Sequence, residues 1–256
     1  MRRLIMILAA AVALTGCKIE EAESYEPTRR GYFMFRDAEE ELVGIMDDVI
    51  RVFFFDLYYS ATEEEKENIH NRYFYTSRIY SKGDEWHIVD INREMIICTG
   101  GKSLHEEGTT WRYRYADTHY SNESDMPSLT SRAKDGTEEM LYDFALPYGR
   151  GLLEFAPRHM SQNLSDGTVR YWVETTVSGI GEFVCEHRYY REDTLSCEIT
   201  EPLSYNSWHR SFRDGIMKLT AYVGEEKREA EAKYIMQNNN RMAVLIKYNG
   251  LFQTYY

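Results

Sequence analysis

The sequence predicts an α+β fold in which one long helix near the N-terminus packs on a large antiparallel β-meander, and this sheet is expected to be curved or closed. Apolar residues recur every three or four positions over residues 37–59, a spacing typical of a helix with one buried face. From about residue 73 the apolar residues alternate with polar ones, which is typical of strands. The chain also contains 21 tyrosines, a residue type that antiparallel sheets favour.

The helical part is predicted to contain a long helix and a short second one. Asp37 is the predicted N-cap of the long helix, because glutamates follow it in the first turn, where negative charge is favoured. Thr62 and Glu65 have the spacing of a capping box, which predicts the start of the second helix. The apolar stripe that should face the core consists of Leu42, Ile45, Val49, Phe53 and Leu57.

Strands are predicted to fill the rest of the chain. Asn249–Gly250 separates the last two strand segments and is typical of a two-residue hairpin turn with positive φ. Short strands with short links argue for a meander that is closed or strongly curved. With no sharp internal boundary, we expect one α+β domain over residues 31–256, helical over 37–72 and β-rich over 73–256. The ten predicted segments are DEWHIVDI, EMIIC, TTWRYRYA, MLYDFAL, TVRYWVETTV, FVCEHRYY, MKLTAYV, EAEAKYIM, MAVLIKY and LFQTYY.

Two cysteines flank a predicted hairpin. Alternation places Cys185 on one face with Phe183, and Cys197 on the matching face with Leu195. A three-residue loop over 190–192 would set the two cysteines opposite each other. A disulfide between them is one alternative in an oxidising compartment. Two buried free thiols are the other, because a slip of one residue in the register separates the pair.

The chain opens with MRRLIMILAAAVALTGC, which has the layout of an export signal. Two arginines precede an apolar core over Leu4–Leu14, and this core is shorter than the roughly 20 residues that span a bilayer. The end of the core, Leu14–Cys17, resembles the lipobox of bacterial lipoproteins. That resemblance implies a signal peptide over residues 1–16, lipidation of Cys17 and stable anchoring by several acyl chains. The polar segment over residues 17–30 is then a flexible tether.

The residues after Cys17 bear on the location of the anchored chain. Lys18 occupies the position where aspartate marks inner-membrane retention in enteric lipoproteins, so the resemblance implies the outer membrane. The segment KIEEAE also resembles the lysine-plus-acids export signal of surface-displayed lipoproteins, although Ile19 interrupts that pattern. Both the periplasmic face and the cell surface therefore stay open, and the membrane is the expected partner of the lipid on Cys17.

Charge and motifs exclude several kinds of partner and site. The formal net charge is −12, and loss of Arg2 and Arg3 with the signal lowers it further, whereas nucleic-acid binding needs a basic surface. TGGKS resembles a phosphate-binding loop, but Ile96 stands where that loop needs glycine. The sequence shows no nucleophile elbow and no spacing of metal ligands. We therefore expect no nucleic acid, no cofactor and no metal, and we assign no catalytic residue.

Four aromatic residues are candidates for stacking on a ligand. Trp111 and Tyr113 share one face of a predicted strand, which is a platform for sugar rings if exposed and core if buried. Trp172 is opposite in phase to its apolar neighbours and is expected to point outward. Trp208 lies in the loop-like segment SYNSWHRSF.

The aromatic residues and the absence of a catalytic motif favour a non-catalytic binding role at the cell envelope, with a glycan or a protein as the ligand. One alternative is an envelope hydrolase whose site forms only in three dimensions. Another is a structural or assembly component of an envelope complex. A cleft with two close carboxylates or three histidines would favour the enzyme, whereas exposed clustered aromatics would favour the binding protein.

Overall fold

The computed structural model describes residues 28–91, 93–98, 110–115, 122, 126–133, 140–146, 149–155, 158–167, 169–183, 194–223, 225–236 and 242–256. The predicted signal peptide, Cys17 and most of the predicted tether lie outside these residues. The side chains of Phe53, Trp111 and Tyr113 lie outside the described part as well. No helix of the described part has both the length and the apolar character needed to cross a bilayer.

The long helix, α1, spans Arg29–Ser60 and therefore begins eight positions before the predicted N-cap. Asp37 lies inside the helix, and Thr28 occupies the N-cap position without a side-chain capping bond. Instead, the Thr28 hydroxyl donates to Gln253 Oε1 over 2.7 Å and lies 2.7 Å from the Tyr255 hydroxyl. The ring of Tyr32 stacks on that of Tyr255 at 4.1 Å. These contacts with the last strand extend the helix beyond the start that its capping signals predicted.

The apolar stripe of α1 faces the core as predicted. Leu42, Ile45 and Val49 are buried, and Leu57 is partly buried against the same core. The helix lies against five strands of the second half of the chain, over 169–183, 195–206, 216–223, 226–236 and 242–248. Near its start, Gly31 allows a close approach to the sheet, because a Cβ there would lie 2.9 Å from Tyr248 Cβ.

The second helix, α2, spans Glu63–Tyr73 and has the predicted capping box. The backbone N–H of Thr62 donates to Glu65 Oε2 over 2.9 Å, and the N–H of Glu65 donates to Thr62 Oγ1 over 3.4 Å. The ring of Tyr73 stacks on that of Phe54 at 3.7 Å. This stack joins the end of α2 to α1.

The described strands number fifteen and form one antiparallel sheet. One long strand, β9 (Val169–Phe183), pairs with β8 (Arg158–Asn163) along its first half and with β7 (Gly149–Phe155) along its second half. Nine of the ten predicted segments coincide with described strands, and the tenth, FVCEHRYY, lies almost wholly outside the described residues. The strands are β1 Arg78–Lys82, β2 Glu85–Val89, β3 Arg93–Cys98, β4 Thr110–Tyr115, β5 Ser128–Ala133, β6 Met140–Leu146, β7 Gly149–Phe155, β8 Arg158–Asn163, β9 Val169–Phe183, β10 Leu195–Asn206, β11 Ser211–Phe212, β12 Ile216–Val223, β13 Glu226–Met236, β14 Met242–Tyr248 and β15 Leu251–Tyr255.

The expectation of a curved or closed sheet is wrong. The strand order is β1-β2-β3-β4-β5-β6-β7-β9-β10-β12-β13-β14-β15, with β8 and β11 beside this path. β1 and β15 end the order, and in the described part of the chain the sheet is neither closed nor curled. The physical reason is that α1 lies against the strands from β9 to β14, so these strands bury their apolar face against a helix and the sheet need not close on itself.

The turn between β14 and β15 is confirmed. Asn249 and Gly250 have φ values of 50° and 77°, and Tyr248 pairs directly with Leu251. Positive φ at both central positions is the geometry that a two-residue hairpin of this type requires.

The predicted register of the cysteine hairpin is wrong. Phe183 lies opposite Leu195, and both are buried as expected, but Cys197 lies opposite Gly181. Cys185 lies outside the described residues, and Cys197 is a buried free thiol whose pKa burial raises to about 12. The described part of β9 ends at Phe183 and β10 begins at Leu195, so the predicted loop over 190–192 lies outside the described residues.

The face of the sheet opposite α1 is polar where β10 to β14 lie side by side. A row of charges crosses these strands, in which Glu198 lies opposite Lys218, Lys218 opposite Glu231, and Glu231 opposite Lys247. Opposite charges in neighbouring strands stabilise such a surface modestly. A shallow depression lies over this row of charges. We interpret it as part of the solvated face of the sheet and not as a binding site.

Candidate ligand-binding cleft

The candidate site is a cleft between α1, the end of α2, the start of β9 and the turn over 207–210. Its volume is about 680 Å³, which lies in the range of small-ligand sites. We call it the arginine cleft because four arginines contribute to its wall. Its described lining consists of Asp47, Ile50, Arg51, Phe54, Arg72, Tyr73, Thr76, Leu164, Arg170, Tyr171, Ser207, Trp208 and Arg210.

The turn that carries Trp208 is fixed by hydrogen bonds to the sheet. The Ser207 backbone N–H donates to the carbonyl of Val173 over 3.0 Å, and the Val173 N–H donates to Ser207 Oγ over 2.9 Å. The N–H of His209 donates to Asn206 Oδ1 over 3.1 Å. Trp208 is therefore presented from a well-supported turn, and 52% of the residue is exposed.

Two aromatic rings of the cleft hold guanidinium groups. Arg170 lies over the ring of Trp208 at 4.1 Å, and Arg72 lies over the ring of Tyr171 at 4.3 Å. Both distances are well within the range of cation–π attraction. Because ring and guanidinium restrain each other, the cleft has both flat apolar surfaces and oriented hydrogen-bond donors.

The carboxylate of Asp47 is already engaged at the wall of the cleft. Arg210 of the turn donates to Asp47 Oδ2, and the buried Tyr205 donates to Asp47 Oδ1 over 3.4 Å. Burial, followed by the charge of Asp47, raises the pKa of Tyr205 above its ordinary value. Asp47 is the only carboxylate among the described lining residues. Its role is to join α1 to the turn.

Arg51 forms a second group of hydrogen bonds at the same wall of the cleft. It donates to Ser77 Oγ over 2.6 Å and to Asp90 Oδ1 over 2.7 Å, and Ser77 Oγ donates to the same carboxylate over 2.6 Å. His70 Nε2 lies 3.0 Å from the backbone oxygen of Ser77. A serine nucleophile needs its hydroxyl bonded to a base such as histidine. Here the hydroxyl is bonded to a carboxylate and an arginine, so the arrangement ties α1 to the sheet.

The charge of the cleft contrasts with that of the chain. Four guanidinium groups and one carboxylate line its described part, whereas the chain carries a formal net charge of −12. A concave surface with charge of one sign attracts ligands of the other sign. The arginine cleft is therefore a local positive site on an acidic protein.

A smaller cleft adjoins the first one. Its volume is about 480 Å³, and it shares Arg72, Tyr73 and Tyr171 with the arginine cleft. Its other wall is formed by α1 and α2, with Asn68 and Glu65 as polar groups. Burial raises the pKa of Tyr73 to about 12, so its hydroxyl stays protonated at neutral pH. The Arg72–Tyr171 pair therefore lines both the arginine cleft and the smaller cleft beside it.

Two of the four predicted stacking residues have described side chains, and one of these two, Trp208, lies in the cleft. Trp208 lines it, whereas Trp172 is half-buried outside it and donates from Nε1 to Glu174 Oε1 over 2.9 Å. Trp111 and Tyr113 lie in β4, and their side chains are outside the described part. Tyr171 was missed because its alternation with the buried Val173 predicted core, yet 39% of it is exposed.

A second polar cluster lies on β1 to β4, away from the cleft. His87 is buried, its Nδ1 lies 2.8 Å from Glu94 Oε1, and its ring stacks on Tyr80 at 4.7 Å. Arg114 donates to Glu94 Oε2 over 2.8 Å. Burial opposes ionisation of Glu94, but hydrogen bonds from His87 and Tyr80 and the charge of Arg114 outweigh it and lower its pKa. Within the described ranges, no group of three or more potential ligands could hold a metal ion.

Comparisons of the chain with protein-family models, with curated proteins and with solved structures find no match. No relative therefore provides a substrate, a catalytic residue or a partner for this chain. The chemistry of the arginine cleft has to be inferred from its own side chains.

Proposed function

We propose that this protein is an outer-membrane lipoprotein, anchored through Cys17, whose body binds an envelope glycan without transforming it. The single observation that carries the binding role is the half-exposed Trp208 on the wall of a cleft, with the Arg170 guanidinium over its ring. A sugar ring presents a flat apolar face together with hydroxyls, so its site needs an aromatic surface and polar groups beside it. Trp208 and Tyr171 supply the surfaces, and the arginines supply the donors.

The described residues of the cleft give more support to binding than to hydrolysis. Glycosidases generally use two carboxylates that flank the scissile bond. The described cleft contributes Asp47 alone, and Arg210 and Tyr205 already engage it. Ser77, a buried serine that Arg51 of the cleft contacts, has its hydroxyl bonded to Asp90, whose carboxylate Arg51 also engages, and not to a histidine.

Binding can be tested with the purified full chain in detergent against an array of bacterial polysaccharides. We expect at least one glycan to bind and Trp208→Ala to weaken that binding about tenfold, since burial of a large apolar side chain contributes at least about 1.5 kcal/mol and each 1.4 kcal/mol is a factor of ten. Tyr222→Ala is the matched control, because Tyr222 is 55% exposed on β12 and does not line the cleft. Absence of any bound glycan, or equal affinity of Trp208→Ala and the unmodified chain, would overturn the proposal.

The anchor has a separate test. Cys17→Ala should abolish metabolic labelling with a fatty acid and release the body from the membrane fraction, because the cysteine thiol is the proposed acceptor of the lipid. Cys197→Ala is the control that removes a different thiol and should keep the label. A Cys17→Ala chain that still labels and still sediments with membranes would show that the lipoprotein assignment is wrong.

A further inference from the structure

The arginines of the cleft differ in how their charge is balanced. Arg210 is paired with Asp47, and Arg51 is paired with Asp90. Arg170 forms no ion pair with a carboxylate among the described residues, and its guanidinium lies over the ring of Trp208. Its Nε is buried and has no hydrogen-bond partner in the described part of the chain.

An unmatched guanidinium of this kind points to a ligand. A buried donor without a partner is unfavourable, and the penalty is greater when the donor belongs to a charged group. Nε of Arg51 in the same cleft is buried without a partner as well, so what distinguishes Arg170 is that no described carboxylate balances its charge. The group that satisfies an arginine best is a planar anion, because its parallel N–H donors match two anionic oxygens.

The surroundings of Arg170 make it a pre-organised anion receptor. The indole of Trp208 restrains the guanidinium at 4.1 Å, and the turn that carries this indole is fixed by Ser207 and Val173. Arg72 occupies an equivalent place over Tyr171 in the same cleft. A donor that is restrained before binding loses little conformational freedom when the anion arrives.

From these observations we infer that the ligand of the arginine cleft is an acidic sugar whose carboxylate or sulfate group binds Arg170, with Arg72 as the neighbouring positive charge. This inference rests on the proposed glycan-binding function and adds the class of glycan. The acidic body disfavours polyanions over most of its surface, so the sugar is selected by the cleft and not by the overall charge.

The test uses two probes with the same sugar backbone, oligogalacturonate and its uncharged methyl ester, with the full chain in detergent and calorimetry as the readout. We expect the unmodified chain to bind the acid at least tenfold more tightly than the ester, and this preference to decline as salt is added. Arg170→Gln should abolish the preference. Arg150→Gln is the matched control, because Arg150 lies on β7, is largely exposed and pairs with Glu182 outside the cleft.

A second substitution and a second pair of probes keep the outcome decisive. Arg170→Lys retains the charge but loses the paired donors, and it should bind the acid more weakly than the unmodified chain does. If chondroitin sulfate binds and its desulfated form does not, the anion is a sulfate and the inference stands. Equal binding of oligogalacturonate and its ester, or equal binding of a single-stranded oligonucleotide, would overturn the inference while leaving glycan binding intact. If no polysaccharide of the array binds, both proposals fail.

Discussion

Replacing Phe55 with alanine tests how α1 is held between distant parts of the sheet. Phe55 is fully buried, and its ring lies 5.6 Å from that of Trp86 on β2 and 5.9 Å from that of Tyr58 on the same helix. Most of the other contacts of α1 with the sheet are with strands from β9 to β14. Phe55 therefore joins the first strands of the sheet to a helix that packs chiefly on the last ones.

The expected loss is large. Truncation of a fully buried phenylalanine to alanine removes about 3–5 kcal/mol of unfolding free energy, because a cavity is left and little collapses into it. Since folded domains have only about 5–15 kcal/mol in total, this change is a substantial fraction. For a chain of this size each kcal/mol lowers the melting temperature by about 2–4 °C, so a decrease of about 10 °C is expected.

Urea unfolding of the purified chain, followed by far-UV circular dichroism, measures the loss. Phe252→Ala is the control, because Phe252 is 62% exposed on β15 and should change the unfolding free energy by less than about 0.5 kcal/mol. A double-mutant cycle with Trp86→Ala should give a coupling of about 0.5–1.5 kcal/mol between the two rings. A loss below about 1 kcal/mol for Phe55→Ala would refute the buried contact with β2.

Two further substitutions on α1 have expected outcomes. Gly31→Ala should lower the unfolding free energy by about 1–2 kcal/mol, because the new Cβ would lie 2.9 Å from Tyr248 Cβ and overpacking exceeds the gain in helix propensity; a more stable variant in urea would contradict the close approach. Burial, together with the charges of Glu40 and Asp37, raises the pKa of Glu41 to about 7. The folded state therefore loses stability as the pH rises from 4.5 through 7, and Glu41→Gln should restore about 1–2 kcal/mol at pH 8 after solvent screening. Urea midpoints at pH 4.5 should show no such gain, and an equal gain at both pH values would count against the raised pKa.

The elements of the fold were predictable where a local pattern decides the structure. The capping box at Thr62, the apolar stripe through Leu42 and Val49, and the Asn249–Gly250 turn each depend on residues a few positions apart. The start of α1 was not predictable in this way. It depends on contacts of Thr28 with β15, which lies at the opposite end of the chain.

Strands with few apolar residues could not be predicted from the sequence either. β5 and β8 have the sequences SLTSRA and RHMSQN, in which few apolar residues mark a buried face. β7 begins with GRG, and a Cβ at Gly151 would lie 2.3 Å from the carbonyl oxygen of Ile180. A glycine that is required for close pairing of strands resembles a loop residue when only the sequence is considered.

The candidate cleft depends on contacts between residues far apart in sequence. Asp47 and Arg210 are 163 positions apart, and Arg170 and Trp208 belong to different elements. The sequence indicated Trp208 through its loop-like surroundings. Nothing in the local pattern of Arg170 showed that it would lie over this ring, because the β9–β10 pairing and the turn after β10 decide that contact.

The position of the arginine cleft relative to the proposed anchor follows from α1. A chain anchored at Cys17 enters the described fold at Thr28, which Gln253 and Tyr255 hold against β15. Asp47 lies nineteen positions later on the same helix, and a rise of 1.5 Å per residue separates the two by about 28 Å. Since α1 lies against the sheet, this separation is set by a packed helix and not by the tether. An acidic polysaccharide bound in the cleft would therefore lie about 28 Å along α1 from the point where the tether enters the fold, and its binding would not require the lipid to leave the membrane.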